Sequence, residues 1–192
     1  AVINSLKVTP GSSFVSLGAG AVGLSAVLAA KVAGATTIIA TDVVPSRLEL
    51  AKELGATHVI NSKEEDAVER IREITGGGAN FALESTGIPA VLRQGIDALS
   101  ALGTIGVVGA PALGVEAKFD VNDVLLGGKS IRGIVEGDST PKIFIPQLVD
   151  LYLQGRFAFD KLVKFYDFED INQAAEDSEK GITLKPVVRI NG

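Results

Sequence analysis

Short runs of apolar residues alternate with longer amphipathic stretches along most of the chain. The runs favour strands, which we place at residues 14–17, 37–41, 58–60, 81–83, 104–108 and 130–135. Helical spacing between them predicts helices at residues 20–32, 45–54, 64–75, 90–102 and 119–126. Short strands separated by helices imply parallel crossovers. We therefore predict an α/β fold with a doubly wound, six-stranded parallel sheet that helices cover on both faces.

The pattern changes after Glu136. Here we predict a helix at 141–154 with a kink at Pro146, a strand at 162–168, a helix at 169–179 and a strand at 184–190. These elements give no clean strand–helix–strand unit, so we expect a C-terminal appendage on the sheet or part of a neighbouring domain. We divide the chain into a sheet domain of residues 1–156 and a C-terminal segment of residues 157–192.

Composition narrows the chemistry. The chain has 192 residues, 46% of them hydrophobic, and a net charge of −5 without a basic stripe. A nucleic-acid partner is therefore not expected. Cysteine is absent, which excludes disulfides and Cys-ligated zinc. The single histidine leaves almost no material for a Ser-His-Asp triad. Neither a secretory signal nor a membrane span is visible, and we expect a cytoplasmic protein.

The strongest motif is the run Gly18-Ala19-Gly20-Ala21-Val22-Gly23. It follows a predicted strand and opens a predicted helix, which is the context of a dinucleotide-binding fingerprint in a Rossmann sheet. Gly18 permits the tight turn, Gly20 lets the pyrophosphate approach the backbone, and Gly23 allows close packing of the helix on the sheet. The free N–H groups of the first helical turn then face the phosphates.

An acidic residue ends the next strand. Asp42 can accept hydrogen bonds from the adenosine ribose hydroxyls, and its charge would repel a 2′-phosphate. The predicted cofactor is therefore NAD rather than NADP. The alternative is that the glycines serve only a strand–helix turn and that Asp42 is a surface acid.

A second part of the site follows from topology, because ligands of a doubly wound sheet lie beyond the carboxyl ends of the strands. The fourth predicted strand ends in residues 84–87 and the fifth in residues 107–111, and both loops would line the cleft for the far half of a dinucleotide. Ordinary turn chemistry is the alternative for each residue there. The acids Glu64, Glu65 and Asp66 are better explained as helix capping than as a catalytic carboxylate pair.

Several runs together resemble one family. The segments SLGAGAVGLSAVLAAKVAGA, ATDVVPSRLELAKELGATHVIN, GGGANFALESTG, GTIGVVGAP and KGITLKPVV are similar to the cofactor-binding half of zinc-dependent medium-chain alcohol dehydrogenases, most of all the aryl-alcohol branch. The resemblance implies NAD-dependent oxidation of an aromatic primary alcohol to an aldehyde, with a catalytic zinc ion that polarises the alcohol oxygen.

The resemblance also assigns residues to parts of the cofactor. The pyrophosphate loop takes Gly18, Gly20, Ala21 and Gly23, and Val22 backs the nicotinamide ring. The adenosine end takes Asp42, Val43, Arg47 and Thr86. The nicotinamide end takes Val108, Gly109, Ala110, Ile134 and Glu136, and the pyrophosphate also takes Lys185.

The chain departs from the family in its metal ligands. The cysteines and the histidine that hold zinc in this family are expected to lie before the point where this chain begins, and methionine is absent even at position 1. We therefore expect a cofactor-binding domain cut from a longer enzyme, which binds NAD and has neither metal nor catalytic residues of its own. Without an oriented, polarised alcohol, the chain alone is expected to show no turnover.

Other functions stay open at this point. A zinc-free quinone-reductase-type oxidoreductase and a non-catalytic nucleotide-sensing domain share the same fold, and a methyltransferase also uses a Gly-rich turn and an acid. A short-chain dehydrogenase needs a Tyr-x-x-x-Lys pair. Four residues after Tyr152 stands Arg156, and four residues after Tyr166 stands Asp170, so this class is not expected.

The sixth strand would be a sheet edge, and edge pairing predicts a homo-oligomer, as in dimeric members of the family.

Overall fold

Six parallel strands form the central sheet of the computed structural model, which describes residues 1–190. The strands are β1 (Ser13–Leu17), β2 (Thr37–Asp42), β3 (His58–Asn61), β4 (Ala79–Glu84), β5 (Leu99–Val107) and β6 (Ser130–Gly133). Their order is β3-β2-β1-β4-β5-β6, and every neighbouring pair is parallel. The predicted doubly wound sheet is confirmed, with its switch point between β1 and β4.

Helices connect the strands as crossovers. They are α1 (Ala21–Ala33), α2 (Pro45–Leu54), α3 (Ala67–Thr75), α4 (Pro89–Asp97) and α5 (Val121–Gly127). After β6 follow a short 3-10 turn (Glu136–Asp138) and α6 (Pro141–Leu153), which contains Pro146.

The core lies on both faces of the sheet because successive strand residues point to opposite sides. Phe14 and Ile38 pack with α1 and α2 residues in one cluster, whereas Val15 and Ile39 pack with α3 and α4 residues in the other. Strands buried on both faces favour apolar residues at nearly every position, which explains the near-continuous apolar runs of β1 and β2.

Two predicted helix boundaries are wrong by three residues or more. The helix expected from residue 64 begins at Ala67, because Asp66 caps it by accepting from the N–H groups of Val68 and Glu69. The helix expected to reach residue 102 ends at Asp97, and β5 already begins at Leu99. Leu99 pairs with Ala79 on β4, so sheet pairing prevails over the helical spacing of this segment.

The C-terminal appendage is a strand–helix–strand unit, contrary to the expectation from sequence. The strands β7 (Val163–Asp167) and β8 (Lys185–Arg189) pair in parallel as a separate two-stranded sheet, and α7 (Ile171–Glu179) connects them. We call residues 163–189 the tail module. The expected C-terminal segment of residues 157–192 includes Asn191 and Gly192, which lie outside the described residues.

Buried polar groups tie the tail module together. Asp177 on α7 accepts hydrogen bonds from the Tyr166 hydroxyl at 2.7 Å and from Gln173 Nε2 at 2.8 Å. The Tyr166 hydroxyl also contacts Thr183 Oγ1 at 2.6 Å. These hydrogen bonds hold the pKa of the Asp177 carboxyl below its ordinary value, and the one from Tyr166 has the largest effect. Upstream, Phe157 and Leu162 are buried in the same apolar cluster as α1, so the chain leading into the tail module is anchored on the main core.

No helix within residues 1–190 combines the length and the apolar character that crossing a membrane requires.

Candidate functional site

The loop between β1 and α1 is built by three glycines with different roles. Gly18 has φ +96°, and a Cβ there would lie 2.8 Å from Thr86 Cγ2, so the β1 and β4 loops touch at this point. A Cβ on residue 23 would lie 1.9 Å from the Gly18 carbonyl oxygen. A Cβ on residue 20 would meet no atom within 4 Å. The first and last glycines are therefore required by packing, whereas the middle one leaves open space in front of the backbone.

The open space faces the amino end of a long helix. Gly20 is the N-cap of α1 and makes no side-chain cap hydrogen bond, and the first turn contains no acid. The N–H groups of Ala21, Val22 and Gly23 therefore have no carbonyl partner within the helix and point outward with the positive end of the helix dipole. Such an end binds a phosphate or another anion.

Asp42, at the end of β2, fastens the glycine loop. Its Oδ2 accepts a hydrogen bond from the Ala19 N–H at 2.7 Å, and its Oδ1 accepts from the N–H groups of Val43 and Val44 at 2.8 and 2.9 Å. The side chain is 7% exposed. A carboxylate has about four acceptor positions, so three backbone bonds leave capacity for a ligand hydroxyl.

Arg47 lies beside this carboxylate, in the first turn of α2. Its Nη1 is 3.9 Å from Asp42 Oδ2, with 27% of the side chain exposed. Its Nε is buried and has no hydrogen-bond partner among the described residues. The predicted adenosine-end residues Asp42 and Arg47 are therefore brought together next to the glycine loop.

A second carboxylate organises the loop after β4. Glu84 is 1% exposed, and its Oε1 accepts hydrogen bonds from the N–H of Thr86 at 2.6 Å, from the Thr86 hydroxyl and from the N–H of Gly87 at 3.0 Å. A Cβ on residue 109 would lie 2.2 Å from the Gly87 nitrogen and 2.6 Å from Glu84 Oε2. The loops after β4 and β5 are thus packed backbone against backbone, which requires glycine at both 87 and 109.

The predicted nicotinamide-end residues lie at the carboxyl edge of β5 and β6. The Val108 and Gly109 N–H groups donate to the Glu84 carbonyl, and Ala110 follows them beside Gly87. Ile134 donates its N–H to the Val107 carbonyl and is buried, whereas Glu136 is exposed with φ +49°. Val22 is 56% exposed on the first turn of α1 and is free to contact a ligand.

A cavity of about 230 Å³ opens beside these loops and is lined mainly by apolar residues. Its wall includes Glu84, Gly109, Pro111, Leu92 and Val115.

Lys185 is not brought to the glycine loop by any hydrogen bond or ion pair of residues 1–190. It is exposed and is the first residue of β8, where it pairs with Val163.

Sequence reasoning missed two residues that build the site. Ser16 is fully buried in β1, and its hydroxyl, a single donor, lies within hydrogen-bond distance of the carbonyl oxygens of both Gly18 and Gly23, at 3.1 and 3.0 Å. For Glu84 the sequence predicts only a place in a cleft-lining loop, whereas in the structure it anchors that loop. The signal was available in both cases, because a polar residue at a fully apolar strand position needs a hydrogen-bond partner.

The backbone N–H donors and the carboxylate acceptors of this site suit a dinucleotide. An uncapped helix amino end lies between two loop-fastening carboxylates, at the switch point where doubly wound sheets bind such ligands. Across residues 1–190, no three His, Cys, Asp or Glu side chains are grouped closely enough to hold a metal ion.

Comparison with known proteins agrees with this geometry. Residues 21–153 match the sequence pattern of a family described as zinc-binding dehydrogenases. Geraniol dehydrogenase of Castellaniella defragrans is 41% identical over 189 residues, which are 98% of this chain and 51% of that protein.

Two solved structures are closely similar. An alcohol dehydrogenase zinc-binding domain protein from Burkholderia ambifaria is 72% identical with a TM-score of 0.99, covering 100% of this chain and 52% of that one. Benzyl alcohol dehydrogenase from Acinetobacter calcoaceticus is 70% identical with a TM-score of 0.98, covering 100% of this chain and 53% of that one. The chain thus spans about half the length of the relatives that it matches.

Proposed function

The chain belongs to the zinc-binding dehydrogenase family, and on that basis we propose that it is the NAD-binding part of an alcohol dehydrogenase. The observation that carries the proposal is the amino end of α1, which has free N–H groups and open space at Gly20. In this role the chain binds and orients the cofactor, and the bound cofactor supplies the hydride acceptor.

Each part of the site has a role in binding. The N–H groups of the first turn of α1 hold the pyrophosphate, with the open backbone at Gly20 as its floor. Asp42 accepts from the adenosine ribose, and Arg47 and Thr86 border the adenosine. Val22 would contact the nicotinamide ring, and the backbone of Val108, Gly109 and Ala110 would hold the nicotinamide end of the cofactor. Ile134 and Glu136 extend the same edge, and Lys185 contributes positive charge from β8.

The charge at the adenosine end favours NAD over NADP. The Asp42 carboxylate is held in place by three backbone N–H groups, so it cannot swing away from a 2′-phosphate without losing those hydrogen bonds. Arg47 already faces Asp42 at 3.9 Å, and its charge is partly balanced.

The substrate proposal comes from the relatives. Benzyl alcohol dehydrogenase and geraniol dehydrogenase are named for primary alcohols, so we assign the whole enzyme to the oxidation of an aromatic or allylic primary alcohol to the aldehyde. The described residues present no metal-ligand cluster, and the proposal therefore places zinc and the alcohol pocket in another part of the enzyme.

Titration calorimetry with NAD, NADH, NADP and S-adenosylmethionine tests the cofactor proposal. We expect binding of NAD and NADH, and NADP binding at least about tenfold weaker, which corresponds to about 1.4 kcal/mol. The Asp42→Asn variant should narrow that ratio because the repelling charge is removed. Tighter binding of NADP than of NAD, or binding of S-adenosylmethionine alone, would overturn the proposal.

A further inference from the structure

The tail module meets the adenosine end of the site at one residue. Gly181, in the loop between α7 and β8, faces the Arg47 guanidinium so closely that a Cβ on residue 181 would lie 2.6 Å from Arg47 Nη2. Arg47 Nη1, on the other branch of the same group, is directed to Asp42 Oδ2. The guanidinium therefore lies between a carboxylate of the main sheet and a backbone segment of the tail module.

Hydrogen bonds fix the position of Gly181. The Gly181 N–H donates to the Ser178 carbonyl and the Ile182 N–H donates to the Asp177 carbonyl, which together form a Schellman motif at the end of α7. Gly181 has φ +70°, as the C′ residue of that motif requires. The Asp177–Tyr166–Thr183 hydrogen bonds hold the next residues of the loop. The position of Gly181 beside Arg47 is thus fixed by hydrogen bonds that involve β7, α7 and the loop before β8.

The rest of α2 makes a weaker contact with the tail. Lys161, just before the tail module, forms an ion pair with Glu53 in the last turn of α2, but both side chains are about half exposed. Exposed ion pairs contribute little to stability. The contact at Gly181 is more specific because Arg47 Nε is buried there, without a partner among the described residues.

We infer that Gly181 is a positioning residue for the cofactor: by its lack of a side chain, the tail module sets the place of the Arg47 guanidinium and hence the affinity of the adenosine half. This inference rests on the proposed function. A side chain at residue 181 would push against the flexible end of Arg47 rather than against backbone, so the guanidinium moves and the loop stays.

The chain contains a matched control for this experiment. Gly155, at the end of α6, also has φ +70°, and it is the C′ residue of a second Schellman motif, formed with the carbonyls of Tyr152 and Leu151. A Cβ on residue 155 would meet nothing within 4 Å. Gly155→Ala therefore carries the same backbone strain as Gly181→Ala without displacing Arg47, and the two variants should lose similar thermal stability.

Binding of NAD, ADP-ribose and nicotinamide mononucleotide to the two variants gives the first readout. We expect Gly181→Ala to raise the Kd of NAD and of ADP-ribose about tenfold, the scale of one lost charge-assisted contact. The Kd of nicotinamide mononucleotide should stay unchanged, as should all three values in Gly155→Ala. In an Arg47→Ala background, Gly181→Ala should have no further effect because no guanidinium is left to displace.

A second readout needs no cofactor. The buried Arg47 Nε–H should exchange slowly with solvent, followed by NMR, and Gly181→Ala should accelerate that exchange while Gly155→Ala does not. Equal exchange in both variants, equal effects of both on ADP-ribose binding, or an undiminished effect of Gly181→Ala in the Arg47→Ala background would each overturn the inference. A chain that bound no dinucleotide would instead refute the proposed function, and the exchange rate would still decide whether Gly181 sets the position of Arg47.

Discussion

Gly23 on α1 lies against the carbonyl group of Gly18, with room for a hydrogen but none for a methyl group. The two glycines let the helix pack closely on the turn that leaves β1. The Ser16 hydroxyl lies within hydrogen-bond distance of the carbonyl oxygens of Gly18 and Gly23. Gly20, two residues after Gly18, has no such neighbour. The three glycines of the motif therefore differ in what a substitution would cost.

The first prediction separates packing from binding. Gly23→Ala should destabilise the fold by about 3 kcal/mol or more, because a Cβ would overlap backbone that cannot move away. Gly20→Ala should leave the unfolding temperature unchanged, since φ −75° suits alanine and the space is open, yet raise the Kd of NAD at least about tenfold by filling the place of the pyrophosphate. Calorimetry and thermal unfolding of both variants check this, and equal stability of the two would contradict it.

The second prediction concerns Glu84. Glu84→Ala removes the acceptor for the N–H groups of Thr86 and Gly87, and each buried donor left unpaired costs about 1–3 kcal/mol. We expect a loss of at least about 2 kcal/mol in urea unfolding. Glu84→Gln keeps a carbonyl oxygen for the place of Oε1, to which all of these donors bond, and should therefore lose clearly less stability than Glu84→Ala. Identical losses in the two variants would show that the lost acceptor is not the cause.

The third prediction is a pH dependence of the tail module. Hydrogen bonds, above all the one from Tyr166, lower the pKa of Asp177 below the ordinary 3.8. The contribution of the ionised Asp177 to stability is therefore complete above that value. The contribution is lost as the pH falls from there through the lowered pKa of the folded state. Amide exchange in β7 and β8 should therefore accelerate on acidification, and Asp177→Asn should be less stable at neutral pH and lack this part of the acid response. A tail module whose acid response is the same in Asp177→Asn would refute the assignment.

The fourth prediction concerns turnover. The 192-residue chain mixed with NAD and benzyl alcohol should form no NADH above a protein-free blank, because its described residues hold no metal-ligand cluster to polarise an alcohol. Calorimetry on the same sample should show that NAD is bound. Formation of NADH in proportion to the chain would contradict the division of labour that we propose.

The fifth prediction concerns the open edge of the sheet. β6 is the last strand in the order, all its residues are exposed, and an unpaired edge favours strand addition. We propose a homo-oligomer formed through this edge, and light scattering should give a mass above that of a monomer. Ile131→Lys on β6 should lower the mass to the monomer value, whereas Leu113→Lys, on a fully exposed loop residue, should not. A monomer at high concentration in the unaltered chain would refute the proposal.

Much of the main sheet could be predicted from the sequence because its signals are local. The near-continuous apolar runs of β1 and β2, the glycine motif and the capping acid Asp66 all act through neighbours in the chain. The position of Asp42 at the strand end also followed from spacing, although its three backbone hydrogen bonds did not.

The strands and the helix of the tail module could be predicted to within two residues, but their pairing into one unit could not, because the two strands lack a buried apolar run. β7 reads VKFYD and β8 reads KPVVR, and most of their residues are half-buried or exposed. The contact between Gly181 and Arg47 joins residues far apart in the chain, and no pattern of spacing reveals such a pair. For the same reason the shared packing of Gly87 and Gly109 became visible only in three dimensions.

The switch point between β1 and β4 also has a consequence for how the protein folds. β1 pairs with β2 after a single crossover, but its pairing with β4, where Phe14 meets Phe81, must close a much longer segment. Long-range closure is slow because the entropy of the loop is lost before the contacts form. We therefore expect β1 to β3 to assemble first and the β1–β4 pair later. Since Gly18 and Thr86 meet only across that pair, we expect the glycine turn to form before the cleft beside it is complete.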